Sequence, residues 1–280
     1  MSDDSFAALG STLPDDFSRT LLTSAIETLN STNALRAHHF ATTVRELVTH
    51  VLHTLGPDGE VTNASWYRAE AEKPTRRQRA TYAVQGGMSD AVVDSLGVDR
   101  SDMQTALRDA FEALNKYTHV REGTLLTSQE DIDAFAAQAK DAVVGFFDTI
   151  TNLRTVLADT AIQVLGTDIF EKFIETSVDD LDILSGQTRV EGVEVDRVEI
   201  TSIGLHSIQY RIEGTVYVEL NWGRGDDAAS MSDNYPFTCD VEGNLENIKE
   251  FSAVSNIEVD NSSWFGIDDE NEGGEDAGEP

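Results

Sequence analysis

The sequence predicts an α+β protein: a helical module over residues 1–185, a small antiparallel β module over 186–265 and an acidic disordered tail over 266–280. Three observations carry that reading. Apolar residues recur every three or four positions through the first module. After Ser185-Gly186 the period changes to two. The tail, GIDDENEGGEDAGEP, has too few apolar side chains to bury a core.

The elements follow in order. Residues 16–31 place Leu21, Leu22, Ala25, Ile26 and Leu29 on one helical face. A second helix is predicted from about 33 to 55, with Phe40, Val44, Leu47, Val48, Val51, Leu52 and Leu55 inward, and Gly56-Pro57-Asp58-Gly59 stops it. A short helix runs from Pro74, placed in its first turn, to Gly86-Gly87. Ser101-x-x-Gln104 reads as a capping box that opens a helix with Met103, Leu107, Ala110, Phe111, Leu114 and Tyr117 inward. A long helical pattern covers Ser128 to about Leu165, and a further helix reaches about residue 177. Strands are predicted at 193–203, 207–214, 215–222, 235–241 and 255–260, with a tight hairpin at Gly214 and a loop over 223–234.

Composition narrows the function. No apolar run approaches the roughly 18 residues of a membrane span, so no membrane association is expected. The first residues lack a basic and then apolar leader, which makes a cytoplasmic protein the expectation. The single cysteine, Cys239, excludes a disulfide within the chain. Lys and Arg number 20 against 51 Asp and Glu, a net charge of −31. An acidic, hydrated surface on a folded chain suits a high-salt cytoplasm, and the expected source is a halophile of haloarchaeal type. The charge is uneven: residues 1–121 carry a net of −4 and residues 122–280 a net of −27.

Within the near-neutral part, residues 66–82 read WYRAEAEKPTRRQRATY and hold Arg68, Lys73, Arg76, Arg77 and Arg79. Arginines crowding the first turn of a helix oppose its dipole, and an anionic partner removes that penalty. Arg suits phosphate through its planar fork, and Trp66, Tyr67 and Tyr82 offer faces for bases. The competing reading pairs these arginines with nearby carboxylates such as Glu70 and Glu72.

Other candidates are weaker. His39, Glu46, His50 and His53 share one side of the second helix, but they lie opposite its apolar face and HExxH is absent, so a solvated face is expected. His38 and Arg45 occupy another flank, one that can face the basic stretch. His119, in NKYTHVRE, suits a helix C-terminus electrostatically and can also serve as an acid or base on a phosphodiester. In the β module Glu213, Glu219, Asp226, Asp227, Asp233 and Asp240 could hold Mg²⁺ or Mn²⁺ only if two or three converge. No metal ligand set is fixed by the sequence.

Several stretches together resemble the predicted prokaryotic-PIWI-associating nucleases. ALRAHHFATTVRELVTHVLHTLGPDGEV, Trp66, KPTRRQR and NKYTHVRE resemble the helical part, and TVYVELNWGRGDD, SDNYPFTCDVEG and VDNSSW resemble the β-rich part. The likeness spans roughly residues 30–265. It implies action with a PIWI-type protein in genome conflict, on DNA or RNA. The helical part is also similar to HEPN ribonucleases, which use an Arg followed four to six residues later by His. Here the residue four before His119 is Asn115, and the nearest preceding Arg is Arg108.

Three functions are therefore open: a nuclease, with Arg45 and His119 for acid–base work and Trp66, Arg68, Lys73, Arg76, Arg77 and Arg79 on nucleic acid; a non-catalytic adaptor; and a structural protein whose arginines are paired internally.

Overall fold

The computed structural model describes residues 3–175 and 179–266; the acidic tail lies outside the described residues from position 267 onward. The chain opens with α1 (Asp3–Ala8), a 3-10 turn at Leu9–Ser11 and α2 (Asp16–Leu29). Asp15 caps α2, its carboxylate accepting from the Ser18 N–H at 2.7 Å. The same carboxylate lies 2.7 Å from His50 Nε2. Those two contacts hold the Asp15 carboxyl at about 2, below the ordinary range.

The centre of the helical half is α3 (Arg36–Leu55). Its buried stripe, Phe40, Val44, Leu47, Val48, Val51 and Leu52, matches the predicted face. Against it pack α2, α5 (Arg76–Gln85) and α7 (Ser101–Thr118), with α4 (Asp58–Asn63) and α6 (Asp90–Ser95) as short connectors. At α7 the capping expectation fails. Arg100 is the N-cap residue and makes no side-chain cap, while the Ser101 hydroxyl turns back to donate to Asp99 at 2.7 Å. Asp99 Oδ1 also accepts from the Ser101 N–H at 2.8 Å, so Ser101 is the first helical residue and not the cap.

The two helices predicted beyond residue 128 are one, α8 (Gln129–Glu175), 47 residues and about 70 Å long. A break near Leu165-Gly166 is the natural reading of glycine. Its cost inside a helix is only about 1 kcal/mol, however, while Leu165 and Ile169 on either side are fully buried. The chain then passes through α9 (Asp179–Asp182) into β1 (Gln187–Ile203), β2 (Ser207–Trp222), β3 (Ala229–Asn244) and β4 (Phe251–Val259). These form a sheet in the order β1-β2-β3-β4. Phe173 of α8 meets Phe237 of β3 edge-on at 5.2 Å between centroids.

Two predicted features of the sheet are corrected. Residues 207–222 form one strand, not a hairpin, and part of the predicted 223–234 loop is the start of β3. Ile208, Tyr210, Ile212, Val216, Val218 and Leu220 are all buried, so the alternation keeps its phase straight through Gly214. Gly214 serves closeness instead of turning: a Cβ there would lie 2.3 Å from the Glu194 carbonyl and 2.6 Å from the Phe237 ring.

Two compact units are distinguishable. One comprises the residues up to Leu157 with Ile203–Ser207 and Leu245–Asn247. The other comprises Ala158–Ser202, Ile208–Asn244 and the described residues from Ile248 on. Among the described residues no helix is long and apolar enough to cross a membrane.

Two glycine substitutions should move stability in opposite directions. A Cβ at Gly166 meets nothing within 4 Å, so Gly166→Ala should raise the melting temperature, by about 0.5–1 kcal/mol of stability. Gly214→Ala should lower it, by about 1–3 kcal/mol. Thermal melts of both variants check the pair.

Candidate nucleic-acid interface

The basic stretch is built around α5, whose N-terminus is closed by a capping box that the sequence contains as Thr75-x-x-Gln78. Thr75 Oγ1 accepts from the Gln78 N–H at 3.3 Å, and Gln78 Oε1 accepts from the Thr75 N–H at 2.9 Å. Pro74 therefore precedes the cap and does not sit in the first turn. Gln78 also donates to the Arg68 carbonyl at 2.6 Å. At the other end of α5, Trp66 Nε1 donates to the Gly86 carbonyl at 2.9 Å. The segment from Trp66 to Thr75 thus runs along α5 as a strap fastened near both ends, and Trp66 packs against Val61, Ala64 and Tyr82.

The cations of the stretch divide into two kinds. Arg79 is 2% exposed. It donates to the Gly56 carbonyl at 2.6 Å and pairs with Asp58, so it ties α5 to the turn that ends α3. Tyr82 does the same one turn later, donating to Glu60; burial foremost, and then Glu60, push its phenol pKa up. Arg76, Arg77, Arg68 and Lys73 are exposed. Arg77 pairs with Glu70, and the Arg76 guanidinium lies over the Phe111 ring at 4.5 Å from its centroid.

Between α5 and α7 runs a groove of about 690 Å³. Its floor is apolar, made by Leu52, Ala80, Leu107 and Phe111. Arg76, Arg77 and Arg108 line it against a single carboxylate, Glu112. Arg108 is also exposed and pairs with its neighbour Asp109 at 2.9 Å. Exposed pairs of this kind contribute about 0–1 kcal/mol, so a phosphate can displace them. A neighbouring cavity of about 600 Å³ shares Arg77, Ser101 and Gln104. It is the less suitable of the two for an anion: Asp90 and Asp94 hold Arg100, at 2.6 and 2.7 Å, and Glu70 and Asp99 add further negative charge.

The other predicted residues lie elsewhere. His119 is the exposed C-cap residue of α7, and Arg45 lies on α3 with its Nε 3.8 Å from Glu46; neither lines the groove. His38 is buried, with Nδ1 2.7 Å from the Tyr117 carbonyl, and so faces the end of α7 and not the basic stretch. In the predicted solvated stripe His39 is exposed, whereas His50 is half-buried against Asp15. His53 adjoins the arginines: burial first, then Arg79, lower its pKa and favour its neutral form.

Three of the candidate carboxylates of the sheet have local partners. Glu213 meets Arg197 at 3.6 Å, Asp233 accepts from the Tyr235 hydroxyl at 2.7 Å, and Asp240 accepts from Arg211 at 2.9 Å. The Asp226 side chain is outside the described residues. Among the described residues no group of three or more His, Cys, Asp or Glu side chains is placed to hold a metal ion.

Gln104, Arg108, Phe111 and Asn115 of the groove were not anticipated as a site, although a signal exists. Steps of four, three and four put them on one side of a helix.

Arg79→Met should lower stability by about 1–3 kcal/mol, because the buried Gly56 carbonyl loses its donor. The same variant should change the acid response. The Arg79 hydrogen bond holds the Asp58 carboxyl below its ordinary value. That contribution is present above about pH 4 and is lost as pH falls through the depressed folded value. Melting temperatures of Arg79→Met should therefore fall less steeply than wild type below about pH 4, which melts across a pH series check.

Two family models match the chain, both described as predicted pPIWI-associating nuclease, one over residues 10–143 and the other over residues 150–265. No curated protein and no solved structure shows significant similarity to it. The matches run through both the helical and the strand-forming parts. The chain belongs to the predicted pPIWI-associating nucleases.

Proposed function

We propose that this chain is the nuclease, or a nuclease-like nucleic-acid-binding component, of a PIWI-linked genome-defence system, and that the groove between α5 and α7 receives nucleic-acid phosphates. The observation that carries the reading is the groove's charge: three arginines face a single carboxylate in a chain whose net charge is −31. Arg76, Arg77 and Arg108 supply planar donors for phosphate oxygens. Arg68 and Lys73 extend the positive surface along the strap.

For hydrolysis, Glu112 is the carboxylate at hand on the groove wall to take a proton from water. His53 does not line the groove, but it lies near Arg79, Lys73 and Arg76, and burial and then Arg79 favour its neutral form. Arg45 and His119 are the candidates carried by sequence. A divalent ion, Mg²⁺ or Mn²⁺, is the cofactor such chemistry takes. The adaptor reading has its own support, since a groove with three cations and one carboxylate is equipped to hold a strand without cutting it. A PIWI-type protein is the partner in either case.

The test is a binding and cleavage assay on RNA, single-stranded DNA and duplex DNA in KCl, with and without Mg²⁺ and Mn²⁺. Arg76→Glu with Arg108→Glu should weaken binding by roughly tenfold or more and flatten its salt dependence, while the melting temperature stays near wild type. Binding without cleavage under every condition favours the adaptor. Binding unaffected by both charge reversals removes the groove from the proposal.

A further inference from the structure

We infer that the groove takes an unstacked base, so that its ligand is single-stranded nucleic acid and not duplex. The inference rests on the phosphate-binding role proposed for the same groove and adds the class of strand. A surface that only tracks a phosphate backbone needs cations and no apolar floor. This groove has both. Leu52, Ala80 and Leu107 are at most 6% exposed, yet they line an opening of about 690 Å³. That volume lies within the roughly 300–1,000 Å³ of small-molecule sites, which suits a base with its sugar.

The cations are arranged for more than charge. The Arg76 guanidinium carbon lies over the Phe111 ring, 4.5 Å from its centroid. Phe111 is itself 8% exposed, so the ring is covered and the outer guanidinium face is the platform offered to a ligand. Bases stack on arginine planes as they do on aromatic rings. Asn115 presents an amide that can meet a base edge, as does Gln104, whose Nε2 makes only a long bond of 3.4 Å to Thr81 Oγ1; Arg108, held by its exposed pair with Asp109, can turn to the adjoining phosphate.

Duplex cannot use this arrangement. Its bases are stacked on one another, so it offers the arginines phosphates and base edges but no base face, and it leaves the apolar floor wet. A single strand can place one base over Arg76 and its flanking phosphates on Arg77 and Arg108. Each stacked base is typically worth a several-fold gain in affinity, whatever its identity. RNA and single-stranded DNA share this chemistry, and the arms of the test separate them.

The experiment measures binding of strands about 12 nucleotides long, a length near the usual single-strand site size, to the full chain. The arms are RNA, single-stranded DNA, the same DNA backbone lacking its bases, and blunt duplex. Wild type should bind at least one base-bearing single strand about fivefold or more tightly than either the abasic strand or the duplex. Arg76→Lys keeps the charge and removes the flat platform. It should lose most of that preference, its affinity for the base-bearing strand falling at least several-fold further than its affinity for the abasic strand. Equal binding of abasic or duplex and single-stranded ligands overturns the inference, as does an unchanged preference in Arg76→Lys. If no nucleic acid binds, or if reversing Arg76 and Arg108 to Glu changes binding to none of them, the phosphate-binding role itself fails and this inference with it.

Discussion

The buried Arg79 is the constraint on which the candidate site depends. Its guanidinium joins α5 to the Gly56-Pro57-Asp58 turn at the end of α3, donating to the buried Gly56 carbonyl and to the Asp58 carboxylate. A charge so enclosed is tolerated only when its donors are met, and breaking such a set leaves the remaining partner stranded. Because α3 is also the helix on which α7 packs, fixing α5 to α3 sets the spacing between α5 and α7. That spacing is the groove. The strap from Trp66 to Thr75 adds two hydrogen bonds along α5, one near each end.

Seen this way, the basic stretch does two jobs with one residue type. Arg79 is spent on architecture, and its neighbours Arg76 and Arg77 are left on the exposed side. The difference follows from helical geometry: positions 76 and 79 are three apart and close in direction, but Arg76 reaches α7 at Phe111 while Arg79 meets the end of α3. Internal pairing describes Arg79 with Asp58 and Arg77 with Glu70. Anion binding is the proposal for the exposed arginines.

Much of the fold was legible because burial imposes a period, and burial is strong on α3, α8 and β2. What misled were single residues whose usual meaning was overridden. Gly214 signals a turn, yet the strand pattern on both sides stays in phase across it. Gly166 signals a helix end, yet buried Leu165 and Ile169 hold the helix together through it. Ser101-x-x-Gln104 and Thr75-x-x-Gln78 carry equivalent capping patterns. Only the second is used, because α7 begins at Ser101 itself, with Arg100 at the cap position and Asp99 accepting from the Ser101 N–H and hydroxyl. The site was half legible. Charge clustering drew attention to α5, but the opposite wall is an ordinary stripe on α7 whose Arg108 stands alone in sequence. The pairing of two helices across a gap is tertiary information that no local pattern holds.

The acidity of the chain sharpens what the groove must do. Residues 122–280 carry a net of −27, and at low ionic strength such a field repels any polyanion over tens of ångströms. Near 1 M salt the screening length falls to about 3 Å, and that repulsion is lost together with most long-range attraction. What survives is contact at short range: the planar donors of Arg76, Arg77 and Arg108, and apolar surface whose burial salt does not weaken. A groove with cations on its walls and Leu52, Ala80, Leu107 and Phe111 at its base combines both kinds of contact. In so acidic a protein the apolar floor is the part of the proposed interface least dependent on salt. It is also the part that phosphate alone would leave unused.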